Sequence, residues 1–150
     1  MIRRATIADA EQIQRLINQF AEEERLLPRS LSEIYDNLRD FYVSEGTDRQ
    51  IHGVCALHIC WEGLAEIRSL AVTTRERKKG LGEHLIEACL QEAKELGVKQ
   101  VFLLTYIPPY FERIGFRVTD KATLPHKIWT DCVRCVKFPD CNETAMILDL

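Results

Sequence analysis

The run Arg77-Lys78-Lys79-Gly80-Leu81-Gly82 stands between two patterns that demand different backbones. Ahead of it, Ile51 to Trp61 and Leu64 to Val72 are apolar, β-branched runs separated by Glu62-Gly63, which reads as two strands and a tight turn. Behind it, Leu85, Cys89, Ala93 and Leu96 recur at helical spacing as far as Gly97, a residue suited to a left-handed helix end. Val101 to Thr105 then reads as a buried strand. A strand, a glycine turn, a helix and another strand in this order close as a parallel pair with the helix packed on the sheet. The rest of the chain must fit around that unit.

The flanking segments add strands of both kinds. Ile2 to Ala5 is a short strand, and Thr6 with Asp9 has the spacing of a helix-capping pair ahead of Ile13, Leu16, Ile17 and Phe20. Ser30 and Glu33 repeat the signal before Leu31, Ile34, Tyr35 and Leu38. Phe41 to Val43 is a strand, Pro108 opens a short helix through Ile114, and Phe116 to Val118 and Ala145 to Leu150 close the list. The fold class is therefore α/β in the broad sense, shading into α+β, with helices against a mixed sheet. No repeat or linker divides the chain, so residues 1–150 are taken as one domain.

A net charge of −3 argues against nucleic acid as partner, because that affinity rests on a positive field. No apolar run has the length of a membrane span and none resembles a signal peptide, so the expected location is the cytoplasm, with no membrane partner. The six cysteines are then expected to be reduced, with Cys55, Cys60 and Cys89 as small core residues. Cys132, Cys135 and Cys141, with His126, resemble part of a zinc site but lack a second closely spaced pair, so no metal is expected. His52, His58 and His84 show no ligand spacing.

Gly80 and Gly82 allow a tight turn whose bare N–H groups approach a ligand closely, and the helix start behind them favours an anion such as a pyrophosphate. Arg75, Arg77, Lys78 and Lys79 add positive charge. Neither a nucleoside-triphosphate loop nor a dinucleotide fingerprint fits, since the first lacks Gly-Lys-Ser/Thr and the second a third glycine. A basic surface turn that only caps a helix has the same local pattern.

Arg77, Gly80 and Gly82 match, position by position, the Arg/Gln-x-x-Gly-x-Gly/Ala motif of the GNAT superfamily of N-acetyltransferases. Leu64 to Val72 resembles that family's fourth strand, and Tyr110-Phe111-Glu112-Arg113-Ile114-Gly115-Phe116 its late helix followed by Gly-Phe. The resemblance implies the GNAT fold, a central mixed, mostly antiparallel sheet with a parallel pair at the acetyl-CoA site and helices on both faces. It implies acetyl-CoA as co-substrate, bound by Leu70, Ala71 and Val72 of the strand and by Arg77, Lys78, Lys79, Gly80, Leu81 and Gly82 of the loop. Glu66 matches the glutamate that acts as general base in several members, although its place on a strand also suits an ion pair with Arg68, two residues on. Many members use a tyrosine to protonate the departing thiolate; that position is Phe111, so the acid is unassigned. A homodimer is a common arrangement for such a fold.

A finer resemblance is to N-acetylglutamate synthases. It is carried by Leu26-Leu27-Pro28-Arg29-Ser30, by Glu66 to Val72, by Val101 to Thr105 and by Leu124-Pro125. It implies an amino-acid N-acetyltransferase acting on glutamate or glutamine in the first step of arginine biosynthesis. Arg29 and Arg68 are the candidate cations for the substrate carboxylates, with Ser30 and Thr105 as hydroxyl donors. Another amine (a polyamine, an aminoglycoside or a protein terminus) and a non-catalytic CoA-binding module are the competing readings.

Overall fold

The computed structural model describes residues 1–22, 28–77, 79–124 and 143–150. Strand β1 (Ile2–Arg4) leads through a 3-10 turn at Ile7–Asp9 into α1 (Ala10–Glu22). Then follow α2 (Leu31–Asp36), a second 3-10 turn at Leu38–Asp40, β2 (Phe41–Glu45), β3 (Ile51–Trp61) and β4 (Leu64–Val72). A one-turn helix α3 (Thr74–Arg77) precedes α4 (Leu81–Leu96), and β5 (Gln100–Thr105), α5 (Pro108–Glu112), β6 (Arg117–Val118) and β7 (Thr144–Asp149) complete the order. Among the described residues these strands form one seven-stranded sheet ordered β1-β2-β3-β4-β5-β7-β6. β4 and β5 are parallel and every other neighbouring pair is antiparallel. No described helix is long and apolar enough to cross a membrane.

Side-chain alternation divides the core between the two faces of the sheet. Leu57, Ala65, Ile67, Val101 and Leu103 lie beneath α4, against Leu85, Ile86 and Cys89. On the opposite face, Val43, Val54, Ala56 and Ala71 meet Ile13, Ile17 and Phe20 of α1 and Ile34 of α2. Further along that face, Cys60, Leu64, Phe102 and Ile147 form a separate cluster with Leu124. Cys55, Cys60 and Cys89 are free thiols in these cores. Gly53 makes room for α4 on β3: an added Cβ there would come within 2.9 Å of Leu85 Cδ1.

Several sequence expectations need adjustment at the edges. The apolar stripe through Leu38 does not extend α2: the helix stops at Asp36, with Asn37 as its cap, and Leu38 begins a 3-10 turn. Tyr35 is exposed, so the inward stripe is carried by Ile34. Helix α5 ends at Glu112, and the backbone leaves through Gly115 at a φ of 120°, a conformation that favours glycine. Both capping pairs form: Thr6 N–H donates to Asp9 Oδ2 at 2.7 Å, and Ser30 Oγ accepts the Glu33 N–H at 3.1 Å.

Arg3 ties the amino-terminal elements together. Its guanidinium bonds both carboxylate oxygens of Asp9, at 2.8 and 3.0 Å, and Glu45 at 2.9 Å. The Arg3 hydrogen bond holds the Asp9 carboxyl below its ordinary value against the opposing effect of burial. A carboxyl so lowered stabilises the fold fully above its unfolded value, and the contribution fades as pH falls through the folded one. Asp9→Asn is expected to cost about 1.5–3 kcal/mol at neutral pH. That deficit should shrink as pH drops below about 4. Chemical denaturation of both proteins across pH tests this, and a deficit independent of pH contradicts it.

Candidate active site

The parallel ladder of β4 with β5 covers only Leu64–Gln100, Ala65–Val101 and Glu66–Phe102. β4 runs on to Val72 and β5 to Thr105, so the two strands separate towards their carboxyl ends. A bulge accompanies the separation. Cys55 of β3 lies opposite two residues of β4, Ser69 and Leu70, between the pairs Val54–Ala71 and Ala56–Arg68. Ser69 takes a φ of 58°, a left-handed conformation that costs a residue with a side chain about 1–3 kcal/mol. The bulge turns the end of β4 out of register with its earlier residues. A cleft of about 460 Å³ occupies the opening, walled by Ile67 to Leu70 and Val72 on one side and Leu103 to Thr105 on the other.

The glycine run closes one end of this cleft. Gly80 caps α4 at a φ of 75°, and an added Cβ would meet no protein atom within 4 Å. The first turn of α4 therefore presents its unpaired N–H groups and positive dipole end to open space, a cradle that suits a pyrophosphate. Gly82 serves differently: a Cβ there would lie 2.5 Å from the Tyr110 hydroxyl, so the glycine lets α4 and α5 meet at the cleft wall. Leu81 packs beside Gly53, and Ala71 turns to the α1 face, leaving only its backbone along the cleft strand.

Arg77 ends α3 rather than standing in an open loop. Its Nε donates to the Val72 carbonyl at 3.0 Å and its guanidinium lies 4.5 Å from the Phe20 ring centroid, so it fastens the loop to β4 and α1 while lining the cleft. Lys79 is mostly exposed, with Nζ 3.6 Å from Glu76. Lys78 lies outside the described residues, as do His126, Cys132, Cys135 and Cys141.

On the sheet face opposite α4, between the two apolar clusters, lies a polar strip. Glu66 Oε1 is 3.6 Å from Arg68 Nη1, with side chains only 13% and 15% exposed. The spacing by two thus brings both groups to one face, and Arg68 also lines the cleft. Thr105 is buried on the facing strand, where its hydroxyl accepts the Ile107 N–H at 2.9 Å. Arg29 and Ser30 stand apart from the cleft walls. Arg29 Nη1 pairs with Glu33 Oε2 at 3.2 Å, and Ser30 caps α2.

Two features of the site were not assigned a role from the sequence. His58 lies directly opposite Glu66 in the β3–β4 ladder, and its Nδ1 is 2.7 Å from Asp40 Oδ2. Nothing in local spacing joins residues 40, 58 and 66; only the strand register does. Tyr110 is the second. It lines the cleft, but burial, reinforced by the nearby Glu83 carboxylate that accepts its hydrogen bond, raises its pKa well above the ordinary tyrosine value. That makes it a weaker proton donor than a free tyrosine. Phe111, at the position where the resemblance leads one to look for the acid, is a core ring stacked edge-on against Phe116.

Residues 7–116 match the family model described as Acetyltransferase (GNAT) family. The chain belongs to that family. As a GNAT N-acetyltransferase it uses acetyl-CoA as co-substrate. It is 40% identical to an uncharacterized N-acetyltransferase of Chlorobaculum tepidum, over 99% of this chain and 96% of that protein. It is 30% identical to an amino-acid acetyltransferase of Mycobacterium tuberculosis, over 89% of this chain and 78% of the other. Among solved structures, the N-acetylglutamate synthase of Neisseria gonorrhoeae, complexed with coenzyme A and N-acetyl-glutamate, superposes with a TM-score of 0.90 at 26% identity. That match covers all of this chain and 35% of the synthase.

The cradle at Gly80 makes a specific prediction for this GNAT protein. Gly80→Val should cost about 1–2 kcal/mol of stability through left-handed strain, because no protein atom opposes the side chain. Acetyl-CoA affinity, measured by calorimetry, should fall by more than about tenfold as the branched side chain fills the approach to the N–H groups. Unaltered affinity would move the phosphate site elsewhere.

Proposed function

We propose that this acetyltransferase transfers the acetyl group of acetyl-CoA to the α-amine of a small amino acid, glutamate first and glutamine next, as the opening step of arginine biosynthesis. The observation that carries the reading is the Glu66–Arg68 pair, largely buried at the edge of the β4–β5 opening. One partner can take a proton and the other can hold a carboxylate, so a zwitterionic amino acid meets a complementary charge at each end. The amino-acid acetyltransferase and the N-acetylglutamate synthase among its relatives support the same substrate class.

In this mechanism acetyl-CoA lies along the cleft with its pyrophosphate on the N–H groups behind Gly80. The backbone N–H groups of Leu70 and Val72 hold the thioester carbonyl and the pantetheine arm. Glu66 accepts a proton from the substrate ammonium, directly or through one water. The freed lone pair attacks the thioester carbonyl carbon; the carbon–sulfur bond then breaks, and the nitrogen's second proton passes to the departing sulfur without a dedicated acid. Arg68 binds the α-carboxylate through its guanidinium fork, and Thr105 lines the same cleft. Arg29 and Ser30, at the start of α2 and outside the cleft walls, become the second contact only when Arg29 turns from Glu33 towards the cleft. The Arg29–Glu33 pair at i,i+4 is worth only about 0.3–0.5 kcal/mol, so a substrate carboxylate can displace it.

The deciding assay is CoA release from acetyl-CoA with glutamate, glutamine, other amino acids, spermidine and an aminoglycoside. Turnover confined to glutamate or glutamine is expected; turnover on a polycation alone would refute the substrate class. Glu66→Gln should lower kcat by about 10²–10⁴-fold while leaving acetyl-CoA affinity within about twofold. Arg68→Ala should raise the amino-acid KM by at least about tenfold. A normal KM in that variant would remove Arg68 from substrate binding.

A further inference from the structure

The polar strip holds a group that neither the fold nor the proposed base accounts for. Along this face of β3, Ala56 belongs to the apolar cluster under α1, and Cys60 to the one beside Leu124. On β4, Ala71 and Leu64 belong to the same two clusters. Between them the apolar covering stops, and His58, Glu66 and Arg68 occupy the gap. His58 and Glu66 are a directly opposed cross-strand pair, which puts their Cβ atoms about 4.5–5.5 Å apart on one face. Asp40, from the 3-10 turn before β2, reaches in and places Oδ2 2.7 Å from His58 Nδ1.

A carboxylate can only accept, so Nδ1 carries the proton in the neutral ring and Nε2 keeps its lone pair. His58 and Asp40 are 32% and 25% exposed, and a partly solvated pair of this kind contributes on the order of 1 kcal/mol to stability. The pair adds little to the fold. What it adds is a fixed imidazole beside the carboxylate that the proposed reaction protonates in each cycle.

We propose that His58, held by Asp40, is the positioning residue for Glu66 and carries the substrate proton from that carboxylate to solvent. This rests on Glu66 as the base. The ammonium proton passes to a Glu66 oxygen as the amine attacks and the thiolate departs. The proton then moves from the Glu66 carboxyl to His58 Nε2, forming an imidazolium opposite the Asp40 carboxylate, and leaves from Nε2 to bulk water. Glu66 is again a carboxylate and His58 neutral; the second proton of the attacking nitrogen goes to the departing CoA sulfur as the tetrahedral intermediate collapses, so the cycle closes with one proton released to solvent. The charged groups flanking His58 are Asp40 from the turn and Glu66 and Arg68 from β4.

The test compares His58→Ala, Asp40→Asn and Glu66→Gln, with glutamate and glutamine as substrates. His58→Ala should lose kcat by about 10²-fold, with amino-acid KM and acetyl-CoA affinity within about twofold. Added imidazole should restore part of that kcat in His58→Ala and none in Glu66→Gln, and Asp40→Asn should show a smaller loss of the same kind. Normal turnover in His58→Ala with Glu66→Gln inactive overturns the relay and leaves the base intact. Normal turnover in Glu66→Gln overturns the base assignment and the relay with it. A loss in His58→Ala that imidazole does not repair also overturns the relay.

Discussion

The brevity of the parallel pairing between β4 and β5 is the constraint on which the rest of the site depends. Three residue pairs join the strands before they separate, and the bulge at Ser69 and Leu70 reorients the end of β4 at that point. A ladder continued to Val72 would bond every main-chain donor on that edge to β5 and leave no opening. Separation instead leaves backbone polar groups beside a cleft, where a ligand can satisfy them. The strained Ser69 conformation is tolerated because the antiparallel ladder to β3 resumes on both sides of it.

Packing carries this opening to the phosphate cradle. α4 can seat its first turn at the mouth of the cleft because Gly53 beneath it and Gly82 within it remove the side chains that would hold it away. Arg77 completes the connection by bonding the Val72 carbonyl and lying across Phe20, which joins the loop to the strand end and to α1. In the family motif its guanidinium reads as a ligand contact. In this chain it is also a fastening between three elements, and the two roles are compatible because it stands on the cleft wall.

The charged groups follow the same geometry. Glu66 and Arg68 share a face because β4 alternates regularly up to the bulge, and they meet where neither apolar cluster covers the sheet. Asp40 and His58 arrive at the same gap from a turn and a neighbouring strand. Tyr110 shows the opposite tuning: burial and Glu83 keep its proton on, which suits a wall residue better than an acid.

Much of this was legible along the chain. Apolar runs between turn residues marked β3 and β4 to the residue, Gly97 marked the end of α4 at a φ of 85°, and Gly80 marked the tight turn before it, at a φ of 75°. The Thr6–Asp9 and Ser30–Glu33 pairs announced their turns because capping is an interaction between residues three apart. These features depend on neighbours in sequence, so the sequence by itself determined them. The bulge at Ser69, the early end of the β4–β5 ladder and the meeting of Asp40, His58 and Glu66 were decided only by tertiary structure. The last two set, by strand register and by the docking of a turn on a strand, what an individual residue can reach. A serine with φ of 58° carries no local signature, and a histidine acquires an aspartate 18 positions away only when a turn and a strand are docked against each other.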